Sequence, residues 1–217
     1  MKVFFYLFLF TFFIQFTAFP AGDFGFSLGY GFSHLLKNPG NKDILLHNFN
    51  QLHGNYSQKM ESSFFNSGFS VSSFIGENSG VEINWTNNHD LVTAKESESE
   101  GSAAIRYKFR LNNIGVGIYI RPIEQLRFGI LVNRGYYAIL LKNGAVGSLR
   151  DSDYKTIHDN KVITKGMTLY VDLILLEQAK VRPYYYIDFQ GNYPVINDKK
   201  LYFNLDHLGL TLSLLID

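Results

Sequence analysis

Apolar and polar side chains alternate with a period of two residues along most of the chain. In the segment GDFGFSLGYGFSH (22–34), apolar or aromatic residues occupy every second position and glycine or serine fills most of the positions between them. This period is typical of a β-strand with one apolar face, because a helix would repeat every three or four residues. Similar alternation recurs in the segments 63–76, 80–88, 102–122, 125–141, 166–190 and 200–217.

The connections between these segments alternate in length. We predict eight strands with the approximate bounds 23–34, 64–76, 79–89, 102–121, 125–141, 166–177, 180–190 and 200–216. Short connections at 77–78, 122–124 and 178–179 alternate with long ones at 35–63, 90–101, 142–165 and 191–199. Membrane-spanning barrels have an even number of strands, short turns on one side and longer loops on the other. The sequence therefore predicts an all-β, eight-stranded antiparallel up-and-down transmembrane β-barrel.

One strand requires a choice. In the segment 102–122 the apolar positions change parity at Asn112-Asn113. We considered a β-bulge, which absorbs one residue, and a hairpin turn. A turn would make the number of strands odd and would place the long connection 142–165 at the end of the barrel that has the short turns. We therefore predict the bulge.

The barrel interpretation assigns the apolar faces to lipid and the polar faces to the lumen. A lumen of eight strands is only wide enough for side chains to fill it. Unpaired charges would be costly there, so we expect arginine–carboxylate pairs bridged by tyrosine hydroxyls. The predicted inward set is Glu82, Asn84, Arg106, Lys108, Arg110, Arg127, Asp172, Arg182, Tyr184, Tyr186 and Asp188. The alternative is a soluble two-sheet sandwich, in which the faces are reversed.

The N-terminal segment has the pattern of a secretory signal peptide. Lys2 precedes an apolar run from Val3 to about Ala18, and the small residues Ala21 and Gly22 follow it. We predict a signal peptide over residues 1–21 and a barrel domain over residues 22–217. The alternative is an uncleaved membrane anchor, for which the run is short because a helical span needs about 20 residues.

Several segments carry a resemblance to a known family. GFSLGYGF, GIYIRPIEQLRFGILVN and VRPYYYIDF, together with the rhythm of connections, resemble the small OmpA- and OmpX-type outer-membrane β-barrels of Gram-negative bacteria. The resemblance implies a monomer in the bacterial outer membrane, with lipid as its partner and the external loops as the place where a surface ligand would bind. The chain departs from the family in ending with Leu214 to Asp217, where an aromatic residue is usual.

Composition excludes several classes of site. The chain has no cysteine, which excludes disulfides, a thiol nucleophile and cysteine-ligated zinc. It has 20 Lys and Arg against 19 Asp and Glu, and removal of Lys2 with the signal peptide leaves no basic excess for binding nucleic acid. No two of the six histidines have the helical spacing of a metal site. We therefore predict no catalytic, cofactor-binding or metal residues.

Three loop features have weaker interpretations. Leu45, Phe49 and Leu52 fall at helical spacing with Asp43 as a possible cap, which favours a short helix over the barrel mouth or an unstructured loop. Glu96, Glu98 and Glu100 could bind divalent cations or form a solvated loop. Asn55-Tyr56-Ser57 and Asn84-Trp85-Thr86 match the N-glycosylation pattern, which matters only in a eukaryotic secretory pathway.

The predicted function is a structural or surface-interaction role, without enzymatic activity, for a barrel whose lumen is filled by a polar network. The alternatives are a narrow passive pore for small solutes and a soluble secreted β protein. A lipid-modifying barrel enzyme is a further alternative, for which Ser33 and His34 are the one adjacent pair of suitable residues near a strand end.

Overall fold

The computed structural model describes most of the chain beyond the predicted signal peptide, which lies outside the described residues. The described residues are 24–36, 40–52, 54–56, 59, 65–97, 99, 102–145, 155–156, 162–176, 178–189, 193–194, 200–201 and 205–216. The long strands are β1 (Phe24–Leu35), β2 (Phe65–Ile75), β3 (Ser79–Lys95), β4 (Ala103–Ile123), β5 (Leu126–Ala145), β7 (Val162–Leu176), β8 (Ala179–Asp188) and β11 (His207–Ile216). The other elements are the helix α1 (Gly40–Leu52) and the short strands β6 (Lys155–Thr156), β9 (Tyr193–Pro194) and β10 (Lys200–Leu201).

The long strands form a closed ring. Their order is β4-β3-β2-β1-β11-β8-β7-β5, and β4 also pairs with β5, so the sheet has no free edge. Closure between the two ends of the chain occurs where β1 pairs antiparallel with β11, from Phe26 opposite Ile216 to Leu35 opposite His207. The predicted eight-stranded antiparallel up-and-down barrel is therefore confirmed.

The observed strand bounds differ from the predicted ones mainly at the end of the barrel with the long connections. The short connections after β2, β4 and β7 define the turn end of the barrel, and the opposite end is the loop end. At the loop end β3 reaches Lys95 and β5 reaches Ala145, beyond the predicted bounds. The last strand begins at His207, because residues 200–201 pair instead with residues 193–194 in a separate ribbon.

The turn-end part of the barrel is apolar outside and polar or small inside. On β1, outward aromatic and aliphatic residues alternate with inward glycine and serine, and a methyl group added at Gly25 would collide with the ring of Phe74. We call the outward set the apolar belt. Its exposed members include Phe24, Leu28, Phe32, Phe69, Val81, Trp85, Ile114, Val116, Ile118, Ile120, Phe128, Ile130, Val132, Leu169, Leu173, Leu175, Leu208, Leu210, Leu212, Leu214 and Ile216.

The predicted bulge at Asn112-Asn113 is wrong, and the segment is not a turn either. Asn112 lies opposite Asn87 and Tyr136, Asn113 lies opposite Thr86 and Gly135, and the register runs on without a shift through both. The even positions of β4 therefore point outward along this whole stretch. The strand pairing is unbroken here, and it is the apolar residues that move from the inner face of β4 to its outer face.

As a consequence, three predicted lumen residues are on the wrong face. Arg106, Lys108 and Arg110 share the outward face with Ile114, and they do not enter the lumen. The alternate residues Tyr107, Phe109 and Leu111 point inward and are buried. We call the parts of β3, β4 and β5 beyond the apolar belt (residues 87–95, 103–113 and 133–145) the outer extension.

The inner face of the outer extension holds a hydrophobic core. Its buried members are Leu46, Phe49, Val92, Ala94, Tyr107, Phe109, Leu111, Tyr137, Tyr186 and Leu205. An apolar interior with a polar exterior is the arrangement of a protein in water, and it inverts the arrangement at the turn end. The apolar side chains therefore pack inward where the outer surface of the barrel is polar.

Helix α1 supplies part of this core, which confirms the helical interpretation of the first long loop. It begins at Gly40, so Asp43 lies within the helix and is not its cap. Leu46 and Phe49 are buried, and the Phe49 ring meets the Tyr107 ring edge to face at 5.7 Å. Leu52, expected on the same face, is 81% exposed. No helix of the described residues is long and apolar enough to cross a membrane.

Candidate functional site

Five ionic side chains meet in the lumen at the level of the apolar belt. Glu82 comes from β3, Arg127 from β5, Asp172 from β7, and Lys180 and Arg182 come from β8. All five are buried, and the two carboxylates have no exposed surface at all. Period-two alternation explains their meeting, because each occupies an inward position of its strand. We call this group the ionic network.

Arg182 is the centre of the ionic network. Its Nη1 and Nη2 donate to the two carboxylate oxygens of Glu82 at 2.6 and 2.9 Å. Its Nε and Nη2 donate to Asp172 at 2.5 and 2.8 Å. The guanidinium thus makes two bidentate, charge-assisted pairs, the geometry in which arginine binds carboxylates most strongly. The Tyr170 hydroxyl donates to Glu82 Oε2, and its ring centroid lies 3.8 Å from Arg182 Cζ.

Two further cations surround Asp172. Lys180 Nζ lies 3.1 Å from Asp172 Oδ2, and Arg127 Nη1 lies 3.7 Å from the same oxygen. The Arg127 guanidinium is held between the rings of Phe74 and Tyr119, with Cζ 4.1 and 4.4 Å from their centroids. Cation–π contacts of this kind stabilise a cation that has left water. At the level of the apolar belt, ion pairs and aromatic rings therefore contact one another across the lumen.

A polar chamber lies between the ionic network and the core of the outer extension. It leaves about 20 Å³ for the centres of water molecules, enough for one or two. Asn84 Nδ2 donates to Ser70 Oγ and Ser72 Oγ at 3.0 and 2.8 Å, and Asn133 Nδ2 donates to Thr168 Oγ1 at 2.8 Å. The lining residues are Ser70, Asn84, Thr86, Asn88, Asn113, Leu131, Asn133, Thr168, Arg182, Tyr184, Tyr186, His207 and Thr211.

The structure brings together most of the predicted inward residues. The ionic network contains Glu82, Arg127, Asp172 and Arg182, while Asn84, Tyr184 and Tyr186 line the chamber. Asp188 lies at the loop end, where its Oδ2 accepts from the Leu205 amide at 3.4 Å. Arg106, Lys108 and Arg110 are the exceptions described above.

Sequence reasoning missed three contributors to the ionic network, whereas the parity of Tyr170 with Asp172 predicts that Tyr170 faces inward. Lys180 has the parity of its predicted neighbour Arg182, so the pattern contained its signal. Lys180 is the first residue of its predicted strand, next to a turn, and the predicted inward set does not include it. Phe74 and Tyr119 also face inward, on the parity opposite to the predicted apolar face of their strands, but the predicted inward set does not include them. Their role depends on a partner from another strand, and no local pattern carries that information.

The three displaced cations and two further ones form a basic face on the outside of the barrel. It consists of Arg106, Lys108 and Arg110 on β4, Arg134 on β5 and Lys165 on β7. Arg106 Nε donates to Thr93 Oγ1 at 2.9 Å, and Arg110 Nε donates to Asn87 Oδ1 at 3.0 Å.

The alternative catalytic pair does not converge. Ser33 points inward and is buried, whereas His34 points outward and is exposed. Neighbouring residues of a strand face opposite sides of the sheet, so the two side chains cannot act on one substrate atom. Within the described residues, no group of three His, Asp or Glu side chains is placed to hold a metal ion. Glu96 is exposed after β3, while Glu98 and Glu100 lie outside the described residues.

Two tyrosines in the outer extension stay neutral. Burial raises the pKa of Tyr107, and burial together with the negative charge of Asp90 raises the pKa of Tyr137. Their hydroxyls therefore remain protonated at neutral pH. They contribute to the core without adding charge to it.

Comparison with known proteins identifies the fold. No family model and no curated protein matches the chain. Among solved structures, the chain is similar to Ail, the attachment invasion locus protein of Yersinia pestis, in complex with the heparin analogue sucrose octasulfate. The TM-score is 0.52 at 12% identity over 91% of this chain and 100% of that chain. Neisserial surface protein A matches with a TM-score of 0.42 at 9% identity over 88% of this chain and 94% of that chain. The likeness to Ail supports the eight-stranded barrel fold.

Proposed function

We propose that this chain is an exported, monomeric outer-membrane β-barrel of a Gram-negative bacterium with a closed lumen and a non-enzymatic role at the cell surface. Residues 1–21 are its signal peptide, and residues 22–217 form the barrel. The apolar belt contacts the acyl chains, the turn end faces the periplasm, and the outer extension projects from the cell. Short periplasmic turns and longer external loops are the rule for such barrels.

The observation that carries this proposal is the apolar belt around a ring that has charges inside. On β4 the outward residues Ile114, Val116, Ile118 and Ile120 are 54, 44, 62 and 58% exposed. A continuous apolar surface of this kind is unfavourable in water and marks a surface that contacts lipid or protein. In a soluble sandwich, apolar side chains would pack inside and the ionic network would lie outside.

The ionic network supports a closed lumen. Its side chains reach one another from β3, β5, β7 and β8 with nitrogen–oxygen distances of 2.5 to 3.7 Å. Separating such pairs would leave uncompensated charges in a low-dielectric interior, which costs several kcal/mol per ion. The network therefore resists the opening that ion or solute passage would require. We propose that the barrel does not conduct.

The surface role rests on what lies beyond the belt. The outer extension and α1 form a packed structure, and the basic face gives it a positive outer surface. In the structure similar to this chain, Ail is in complex with a heparin analogue, sucrose octasulfate. For this chain, an anionic surface partner fits the charge of the basic face.

Fractionation tests the location. The full chain, expressed with its own N-terminal segment, should appear in the outer membrane and lack residues 1–21. Unheated samples should migrate differently from boiled ones on a denaturing gel, as expected for a barrel that stays folded in detergent. Recovery in the aqueous phase without detergent would support the soluble secreted β protein instead.

Conductance tests the closed lumen against the alternative of a narrow pore, for which the polar chamber is the supporting observation. Purified protein in a planar bilayer should show no unitary current, and neither should Arg121→Ala, which changes a half-buried residue at the turn end, away from the ionic network. Arg182→Ala should give transient openings if the barrel still folds. Steady unitary currents from the unmodified protein would establish a pore.

A further inference from the structure

We propose that the ionic network binds one small monovalent anion, of the size of chloride, at the guanidinium of Arg127. The inference goes beyond the proposed function, because it assigns a ligand to the interior of the barrel. Two independent observations support it. Arg127 is buried with donor atoms that have no acceptor, and the network contains one more cation than it has carboxylates.

The donor atoms of Arg127 are the first observation. The side chain is 3% exposed, and its Nε and Nη1 atoms are buried with no hydrogen-bond partner among the described residues. Asp172 Oδ2 lies 3.7 Å from Nη1, which is beyond hydrogen-bond distance. Buried donors are nearly always paired, and an unpaired charged donor is especially unfavourable. An acceptor from outside the chain would satisfy this guanidinium.

Competition explains why Asp172 does not pair closely with Arg127. The two residues lie directly opposite each other in the register of β5 and β7. Arg182, however, donates to both oxygens of Asp172, and Lys180 Nζ lies 3.1 Å from Oδ2. Arg182 also donates to both oxygens of Glu82. The two carboxylates of the network are therefore engaged by other cations.

The charge of the network is the second observation. Three buried cations, Arg127, Lys180 and Arg182, face two buried carboxylates, Glu82 and Asp172, which leaves a formal charge of +1. An uncompensated charge is unfavourable in an interior that is shielded from water. One monovalent anion brings the formal charge to zero, whereas a divalent anion would leave it at −1. The charge count therefore favours a single monovalent ligand.

The surroundings of Arg127 favour a small anion. The rings of Phe74 and Tyr119 lie against the guanidinium, with Cζ 4.1 and 4.4 Å from their centroids. The Tyr119 hydroxyl donates to the Gly76 carbonyl oxygen at 2.5 Å, which holds that ring in place. An anion can therefore approach only the edge of the guanidinium, where the N–H groups point. This arrangement suits a spherical ion better than a bulky polyatomic one.

The site lies near the turn end of the barrel. Arg127 is the second residue of β5 (Leu126–Ala145), directly after the short connection from β4. The polar chamber and the core of the outer extension lie on the other side of the network. We therefore expect the anion to enter from the solution at the turn end.

The test measures whether chloride stabilises the folded barrel. The full mature chain is folded in neutral detergent micelles and unfolded with urea at several chloride concentrations. Sodium gluconate, whose anion is bulky, keeps the ionic strength constant, and the heat-dependent gel shift reports the folded fraction. For one site that exists only in the folded barrel, the unfolding equilibrium constant should fall about tenfold for each tenfold rise of chloride above its dissociation constant.

Two variants locate the effect. Arg127→Met removes the guanidinium, and Lys180→Met removes the excess charge while it keeps Arg127. In both, we expect the unfolding equilibrium constant to change by less than about twofold over the same range of chloride, because no site is left to couple to folding. Arg121→Met, at a half-buried residue of the turn end, is the matched control and should keep the full dependence. Should Arg127→Met fail to fold, Lys180→Met provides the test by itself.

Three results would overturn the proposal. The first is equal stability of the unmodified protein in chloride and in gluconate, which would leave water as the acceptor for Arg127. The second is an undiminished chloride dependence in Arg127→Met, which would place the anion elsewhere. The third is an undiminished dependence in Lys180→Met, which would show that the excess charge does not recruit the anion.

Discussion

The belt region and the outer extension are built from the same strands but have opposite interiors. In the belt region the lumen holds the ionic network and the outside is apolar. In the outer extension the interior is an aromatic and aliphatic core, and the outside of β4 carries arginine and lysine. The strand β4 passes from one region to the other with no break in its pairing.

The comparison shows that the medium outside the barrel determines whether the outer or the inner face of a strand carries the apolar residues. Apolar side chains occupy the face that is away from water, which is the outer face in the belt region and the inner face in the outer extension. The change occurs near Asn112, whose Oδ1 accepts from Trp85 Nε1 at 3.1 Å. Tryptophan is enriched at membrane–water interfaces, where its ring is half in contact with lipid and its N–H finds a polar partner. This contact therefore marks the boundary between the two regions.

The largest expected effect comes from breaking the interior of the belt region. Arg182→Met leaves Glu82 and Asp172 buried without their main partner and should destabilise the folded barrel by about 3 to 5 kcal/mol. The measurement is the midpoint of denaturant unfolding in detergent or lipid vesicles. The control is Arg121→Met, a change of the same type at a half-buried residue of the turn end, whose guanidinium donates to the Glu124 carbonyl oxygen. A difference between the two variants below about 1 kcal/mol would show that the network does not stabilise the barrel.

The next prediction compares the outer surfaces of the two regions by placing an arginine on each. Ile118→Arg places a charge on the apolar belt and should cost about 2 to 4 kcal/mol, the range measured for arginine at the lipid face near the bilayer centre. Leu91→Arg puts the same charge on an exposed outward position of the outer extension, opposite Lys108. Its cost should stay below about 1 kcal/mol, because it meets water and one like charge. Equal costs at the two positions would contradict the assignment of lipid to one region and water to the other.

A smaller and local effect is expected in the core of the outer extension. Phe49→Ala removes the ring that packs on Tyr107 and should weaken the docking of α1 by about 1.5 to 3 kcal/mol. Limited proteolysis should then cut near α1 sooner, while the heat-dependent gel shift of the barrel stays as it was. Leu52→Ala is the matched control because Leu52 is exposed on the same helix. Equal cleavage rates in the two variants would mean that Phe49 does not hold the helix.

The fold was largely predictable, since alternation and connection lengths both repeat along the chain. The closed ring and the strand order followed from the length of each connection. The four central members of the ionic network also followed, because their parity matches that of small or polar neighbours. The sequence could not predict that Arg182 pairs with both Glu82 and Asp172, because these carboxylates lie about 100 and 10 residues away along the chain.

The error at Asn112-Asn113 has a physical cause. The bulge prediction assumed that one face of a strand meets the same surroundings along its whole length. The change of parity was correctly located. It arises because the outside of β4 passes from lipid to water there, and the register of the strand pairing does not shift. Val92 and Ala94 on β3 and Tyr137 and Ile139 on β5 show the same inward apolar pattern. Agreement between three neighbouring strands was therefore the available signal that β4 has no bulge.

The most direct test of the central claim is a nitroxide scan along β4, which is feasible because the chain has no native cysteine. Single-cysteine variants at positions 108 to 118 are spin-labelled in vesicles, and collision with oxygen is compared with collision with a water-soluble nickel complex. We predict that labels at 114, 116 and 118 meet oxygen, that labels at 108 and 110 meet the nickel complex, and that labels at 109, 111 and 115 meet neither. Oxygen contact at 109 and 111, with 108 and 110 shielded from both reagents, would contradict the account.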